Sequence, residues 1–322
     1  MVTAAQPALV WRWPAALLGL MAAVPAAIVV LIGDPAHGFA LAAGVLPGAA
    51  IGVPGPRKAR VTIAILGLAI GGCVTLGSFL AQWPVVATAG IFVLAVLAAQ
   101  LAARIKLGRI VLMLCLPMVG IGLSFDDLGS GAALGTLMAI GSIWVWLLSL
   151  AWPERPAAQT PPPAPIDSGS LAYGVRLGLA AGIAAGIGFA LDLAHVGWAC
   201  AACLLVMRPV GDMTRSRGRD RVLDVVVGST IATVVVLYFP TPPVLAATVV
   251  IVVTAMAATR GSRLYVTPAF TTCLVFLLLL YGSPQDAEHR FFERLLETVL
   301  GVAVALLFGV AVPSLRNRFA RR

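Results

Sequence analysis

Residues 61–81 read VTIAILGLAIGGCVTLGSFLA, a run without one charged side chain that starts directly after Arg60. A helix rises about 1.5 Å per residue, so about 20 such residues cross the roughly 30 Å hydrocarbon core of a bilayer. Val61 to Ile70 lacks the period-two alternation of a barrel strand, and Leu274 to Leu280 lacks it too, which leaves helices as the spanning element. The rest of the chain repeats this pattern. Of 322 residues 60% are hydrophobic and 11% charged, and mean hydropathy is +1.01. A soluble domain carries about 25% charge, so the chain is expected to be nearly all membrane domain.

Working outward from 61–81, short Gly, Pro and Arg punctuation divides the chain into about twelve spans: 14–33, 38–54, 61–81, 83–103, 108–125, 131–152, 173–191, 196–208, 222–239, 243–259, 264–282 and 294–312. The net charge of +9 then acquires a meaning. With both termini in the cytoplasm, every basic residue except Arg290 and Arg294 falls on the inner side, as the positive-inside rule asks. The basic balance reads as topology, and a nucleic-acid partner is excluded. A cleaved signal peptide over Leu17–Leu31 is disfavoured by its single Arg12 and by the repeat described next.

Asp34-Pro-Ala-His37 recurs as Asp192-Leu-Ala-His195, followed by Phe39 and Trp198 respectively. Arg60-Val61 with Gly67 matches Arg221-Val222 with Gly228, and Trp152-Pro153 closes the first half as Val312-Pro313 closes the second. The expected fold is therefore all-α and polytopic, with two tandem six-helix repeats, 1–152 and 171–322, in parallel orientation. Residues 153–170 form a Pro-rich cytoplasmic linker.

Candidate sites come from polarity inside the spans. Span 2 contains Pro47, Gly48, Gly52 and Pro54, and span 8 is barely a dozen residues long; broken or short helices at matching places point to a transport site or to an early helix end. Arg176, Asp192, Arg208, Asp224, Arg294 and Glu297 are charges in or near spans, most of them close enough to an end to snorkel. The first-half counterparts of Arg176, Arg208 and Asp224 are Leu18, Ala50 and Ile63, so the second half carries nearly all this charge. Arg176, Trp198, Arg208 and Asp224 are the candidate substrate contacts. Asp34, His37, Asp192 and His195, at the outer mouth, are candidates for proton coupling or gating, against a plain helix-capping role. Asp286, Glu288, His289, Glu293 and Glu297 read as a solvated acidic rim. No metal or other cofactor is expected, the five cysteines read as apolar packing, and the Walker and nucleophile-elbow motifs are absent, which argues against an enzyme.

The run Arg176 to Ala190, then Trp198, Met207-Arg208-Pro209, Thr214, Arg217, Arg221-Val222 and Gly228, and the close Arg294-Leu-Leu-Glu-Thr298 with Gly301, resembles the membrane unit of the fusaric acid resistance protein-like family, the aromatic acid exporters. The resemblance implies a six-helix unit used twice, efflux of small organic acids across a bacterial inner membrane, and a periplasmic adaptor of the membrane-fusion type. More remotely the chain is similar to plant malate channels. Larger family members carry a cytoplasmic domain where this sequence has only the 153–170 linker. A passive organic-anion channel and a non-transporting membrane scaffold stay open as alternatives. Substrate identity and oligomeric state are not legible.

Overall fold

In the computed structural model the residues described are 9–154, 170–193, 195–262, 266–281 and 287–319. Most of the linker, Arg263 and Asp286 lie outside them. The described residues are mostly helical, with no strand among them. Seven helices are long and apolar enough to cross a membrane, among the described residues, so this is a multi-pass membrane protein. Four more, Leu107–Gly122, Gly197–Val206, Pro242–Ala258 and Val266–Tyr281, are apolar but shorter.

The chain condenses into two compact units, one from 1–69, 136–159 and 223–293, the other from 70–135, 160–222 and 294–322. Each unit thus draws chain from both sides of the linker. In the first unit α1 (Trp13–Leu31) packs along α12 (Pro242–Ala258), and α2 (Pro35–Ala43) packs on α13 (Val266–Tyr281). A Cβ on Gly19 would come 2.8 Å from Ala257 Cβ and 3.0 Å from Thr254 Cα, so glycine lets these two backbones approach. Span 2 is broken, as its Pro and Gly content suggests. α2 stops at Ala43, and α3 (Leu46–Ile51) ends at Gly52, whose φ of 71° is open to glycine without strain. Ser142 on α8 (Leu128–Leu150) closes the break by donating to the Gly44 carbonyl at 2.6 Å.

The second unit contains α5 (Pro84–Arg104), which packs along α9 (Ser170–Ala190), and α7 (Leu116–Gly122), which packs on α10 (Gly197–Val206). Gly178 is part of the α9 contact face: a Cβ there would lie 2.8 Å from the Phe92 carbonyl oxygen. A π-turn, Val111–Cys115, joins α6 (Lys106–Ile110) to α7, and a second, Leu307–Ala311, joins α14 (Ala287–Leu306) to α15 (Val312–Phe319). Each is followed within two residues by proline, Pro117 or Pro313. A proline ring clashes with the carbonyl four residues back, and a locally widened turn removes the clash without ending the helix. The expected stop at Val312-Pro313 is thus corrected: the helix runs on to Phe319.

Two other boundaries differ from expectation. α11 (Gly211–Tyr238) begins eleven residues before the expected 222, so the basic run Arg215 to Arg221 is helical rather than a loop. Its 28 residues give about 42 Å, longer than the hydrocarbon core, so its charged first turns need not enter the apolar layer. α14 begins at Ala287, so Glu288, His289, Glu293 and Glu297 lie on a helix and not on a solvated loop; Glu297 is only 2% exposed. Helix α4 (Val61–Ala81) has the expected bounds, and all five cysteines are free.

Candidate functional site

The second unit buries an aromatic, a cation and an acid together. Trp198 occupies the first turn of α10, whose start is pinned by Gly197 N–H donating to Ser124 Oγ at 3.1 Å. A Cβ on Gly197 would collide with the Gly120 carbonyl, so only glycine lets α10 begin this close to α7. Two turns into α14, Arg294 lays its guanidinium over the Trp198 ring, Cζ 3.6 Å from the centroid. Trp198, Arg294 and Glu297 are all 5% exposed or less. A guanidinium on an indole face is attracted by the ring quadrupole, the more so when desolvated. The Trp198 Nε1–H has no hydrogen-bond partner among the described residues.

His195, in the turn before α10, stands 6.5 Å from Trp198 between ring centroids. One of its ring nitrogens and a carboxylate oxygen of Glu297 lie within 4.8 Å. A nitrogen and a carboxylate at that range can exchange a proton through one water. Glu293 sits one helical turn before Glu297 on α14.

Arg208, just past the end of α10, is 5% exposed. Its Nη1 donates to the carbonyls of Leu204 at 3.3 Å and Met207 at 2.8 Å, its backbone N–H donates to Thr214 Oγ1, and Tyr173 O–H donates to the Met207 carbonyl. Part of its fork thus caps the C-terminus of a short buried helix, where orphan carbonyls and the helix dipole favour a cation. Its Nε–H has no hydrogen-bond partner among the described residues. Arg176, one turn beyond Tyr173 on α9, is half-buried and donates from Nε to the Ala172 carbonyl. Asp224 belongs to the first unit, where Thr272 Oγ1 donates to its carboxylate at 3.1 Å.

The two D-x-x-H turns turn out unlike. Asp34 N-caps α2 through the His37 N–H at 3.3 Å and receives His37 Nδ1 at 2.6 Å, both side chains about half exposed. The hydrogen bond from the His37 ring holds the Asp34 carboxyl below the usual aspartate range, with the backbone N–H adding to it. Asp192, by contrast, sits at φ 50° in the turn that ends α9, where Leu193 N–H reaches back to the Gly188 carbonyl. It caps no helix start, and its partner in the motif, His195, faces Glu297.

Sequence reasoning singled out Trp198 and His195 but treated Arg294 and Glu297 as end-of-helix charges. The available signal was their spacing: an arginine and a glutamate one turn apart inside an apolar span. It also read Arg60 only as one of the positive charges on the inner side. Arg60 is 1% exposed, and its guanidinium donates to the carbonyls of Pro54, Gly55, Ser149, Trp152 and Pro153.

Residues 183–308 match the fusaric acid resistance protein-like family. The matched segment contains Trp198, Arg208, Arg294, Glu297 and His195, the whole of the buried group except Tyr173 and Arg176. No curated protein and no solved structure matches the chain.

Proposed function

We propose that this protein exports small organic anions, aromatic carboxylates among them, across a bacterial inner membrane. The observation that carries the reading is Arg294 over Trp198, buried beside Glu297 and His195 in the family-matched segment. Burying charge in a membrane protein is costly, and such residues mark transport pathways. An aryl carboxylate supplies what the pair offers to bind: a ring for the indole face and an anion for the guanidinium. The description of the matched family supports the same class, since fusaric acid is itself an aromatic carboxylic acid.

In this reading Trp198 takes the aromatic body, Arg294 and Arg208 the carboxylate, and Arg176 a steering role at the half-exposed flank of α9. His195 and Glu297 exchange the coupled proton, the task that the sequence offered to both D-x-x-H turns. Asp34 with His37 and Asp192 then act as turn residues, and Asp224 remains a buried acid held by Thr272. In this reading the seven long helices, the four shorter ones and the broken α2–α3 pair are twelve passes. These support two tandem six-helix repeats with cytoplasmic termini, able to work with a periplasmic adaptor.

The test is uptake and efflux of radiolabelled aromatic carboxylates in proteoliposomes, with and without an imposed proton gradient. Gradient-dependent flux that falls at least tenfold in Arg294→Gln and partly recovers in Arg294→Lys is the expected result. Flux unchanged in Arg294→Gln would overturn the assignment of the site. Flux indifferent to the proton gradient would make the protein a channel, and no flux with any acid would make it a scaffold.

A further inference from the structure

The first unit holds a cavity of about 750 Å³ beside α3, within the 300–1,000 Å³ range of small-molecule sites. Its wall includes Arg12 and Arg260, the three indoles of Trp11, Trp13 and Trp152, and Gly52. Among the described residues, no acidic one lines it. Two features hold Arg260 in place. Its Nη2 donates to the Ile51 carbonyl at 2.7 Å, and its guanidinium packs against Gly52, where a Cβ would stand 2.6 Å from Arg260 Cζ. Gly52 also has the positive φ that ends α3, so the helix break and the seat of the arginine are one piece of backbone.

Arg12 is the second cation of the wall. Its backbone N–H donates to the Ala258 carbonyl at 3.0 Å, at the end of α12, and its Nη2 points at Gly261. The two guanidinium groups are close enough to oppose one another: burial first, then the Arg12 charge, push the Arg260 pKa down. Two like charges, Arg260 half-buried and Arg12 exposed, with no carboxylate among the described residues of the wall, are an arrangement that a bound anion stabilises. The remaining wall is aromatic and aliphatic.

We propose that this cavity binds an amphipathic organic anion, a carboxylate or phosphate on an apolar body, with Arg12 and Arg260 on the anionic group and the tryptophans on the body. The site is separate from the Trp198–Arg294 group and its occupancy is read without flux, so the inference does not depend on the transport reading.

The experiment is photolabelling of the full-length protein in phosphatidylcholine nanodiscs with benzophenone-4-carboxylate, with adducts mapped by mass spectrometry. Adducts on peptides covering 11–22 or 45–55 are expected, displaced by 2-naphthoate and at least tenfold less well by uncharged 2-naphthamide. Arg12→Glu should abolish them. Arg12 is exposed and makes no side-chain hydrogen bond among the described residues, so this variant tests charge without loss of a structural contact. Arg260→Lys, which keeps the charge and loses the fork, should retain part of the labelling. Adducts elsewhere only, adducts that survive Arg12→Glu, or equal displacement by the amide would overturn the proposal. Repeating the labelling in phosphatidylglycerol nanodiscs separates the two sources of anion. Labelling that persists assigns the cavity to a soluble carboxylate, and labelling lost there but present in phosphatidylcholine assigns it to a lipid headgroup. Naphthoate flux without cavity adducts would sink this inference and leave the exporter standing; adducts without flux would do the reverse.

Discussion

Replacing Arg60 separates a structural cation from a topological one. Its guanidinium has five N–H donors in a fixed fork, and the structure gives it five carbonyl acceptors, from Pro54, Gly55, Ser149, Trp152 and Pro153. One fork therefore ties the chain entering α4 to the chain leaving α8. Hydrogen bonds from a charged donor contribute about 1.5–3 kcal/mol each in isolation, but these five share one side chain and do not add. The Ser149 bond is buried, while the other four are partly exposed and regain water when the arginine is removed. One full charged bond plus a residue from the rest gives about 2–4 kcal/mol for Arg60→Ala. Arg60→Lys, with three donors and no fork, should lose about half of that. Reversible unfolding in mixed micelles, followed by far-UV circular dichroism, measures the difference, and the order wild type, lysine, alanine is expected. A solvated loop arginine would change stability by about 0.5 kcal/mol or less. An alanine variant in that range would refute the buried clamp.

Three other outcomes follow from particular contacts. Gly19→Val forces two methyls into the α1–α12 contact, where a Cβ alone already lies 2.8 Å from Ala257 Cβ, and should cost about 1–3 kcal/mol in the same unfolding assay. Asp34→Asn should lower thermal stability slightly near neutral pH: a depressed carboxyl pKa stabilises the fold above the ordinary aspartate value of 3.8 and ceases to do so as pH falls through its folded value, so the gap between variant and wild type should close in acid. Because both Asp34 and His37 are about half exposed, proton-coupled flux should be untouched by that substitution and reduced at least tenfold by Glu297→Gln, read in proteoliposomes.

The spans were legible because hydropathy is summed over about 20 residues, and a helix that must satisfy its own backbone in lipid leaves few alternatives. Thus α4 keeps its expected bounds, and the break in α2–α3 follows from Pro47, Gly48 and Gly52. What the sequence concealed was the environment of single charges. Arg60 and Arg57 differ by three positions and look alike in a basic loop; one is buried under five carbonyls and the other is exposed. The D-x-x-H repeat misled for a related reason, since a match of letters is not a match of dihedral angles. The left-handed residue that ends α1 is Gly33, at φ 99°, with Asp34 N–H reaching back to the Val29 carbonyl. The corresponding residue after α9 is Asp192 itself, with Leu193 N–H reaching back to Gly188. Geometry therefore aligns Asp192 with Gly33 and Leu193 with Asp34, one step off the motif. That step is why only the first turn has a capping aspartate.

The packing partners bear on whether the two halves of the chain can fold apart. α1 finds its long contact on α12 and α5 on α9, while α2 meets α13 and α7 meets α10. In the proposed tandem repeat, each long contact joins the first helix of one repeat to the fourth of the other, and each shorter one joins a second to a fifth. Every one of these contacts crosses the linker in sequence, and both compact units take chain from both halves. In lipid, helices associate through close packing and interhelical hydrogen bonds rather than through hydrophobic exclusion, so a helix deprived of its small-residue partner has little to replace it. Residues 1–160 expressed alone would leave the Gly19 face of α1 and the Phe92 face of α5 without partners, and residues 161–322 would leave those of α12 and α9. Each half by itself should therefore aggregate in mild detergent, while the two co-expressed halves should co-purify as one monodisperse species with the helical content of the intact chain. A single half that is monodisperse and unfolds with wild-type cooperativity would show that the cross-linker contacts are dispensable, and the interleaved packing would then not be what holds the fold.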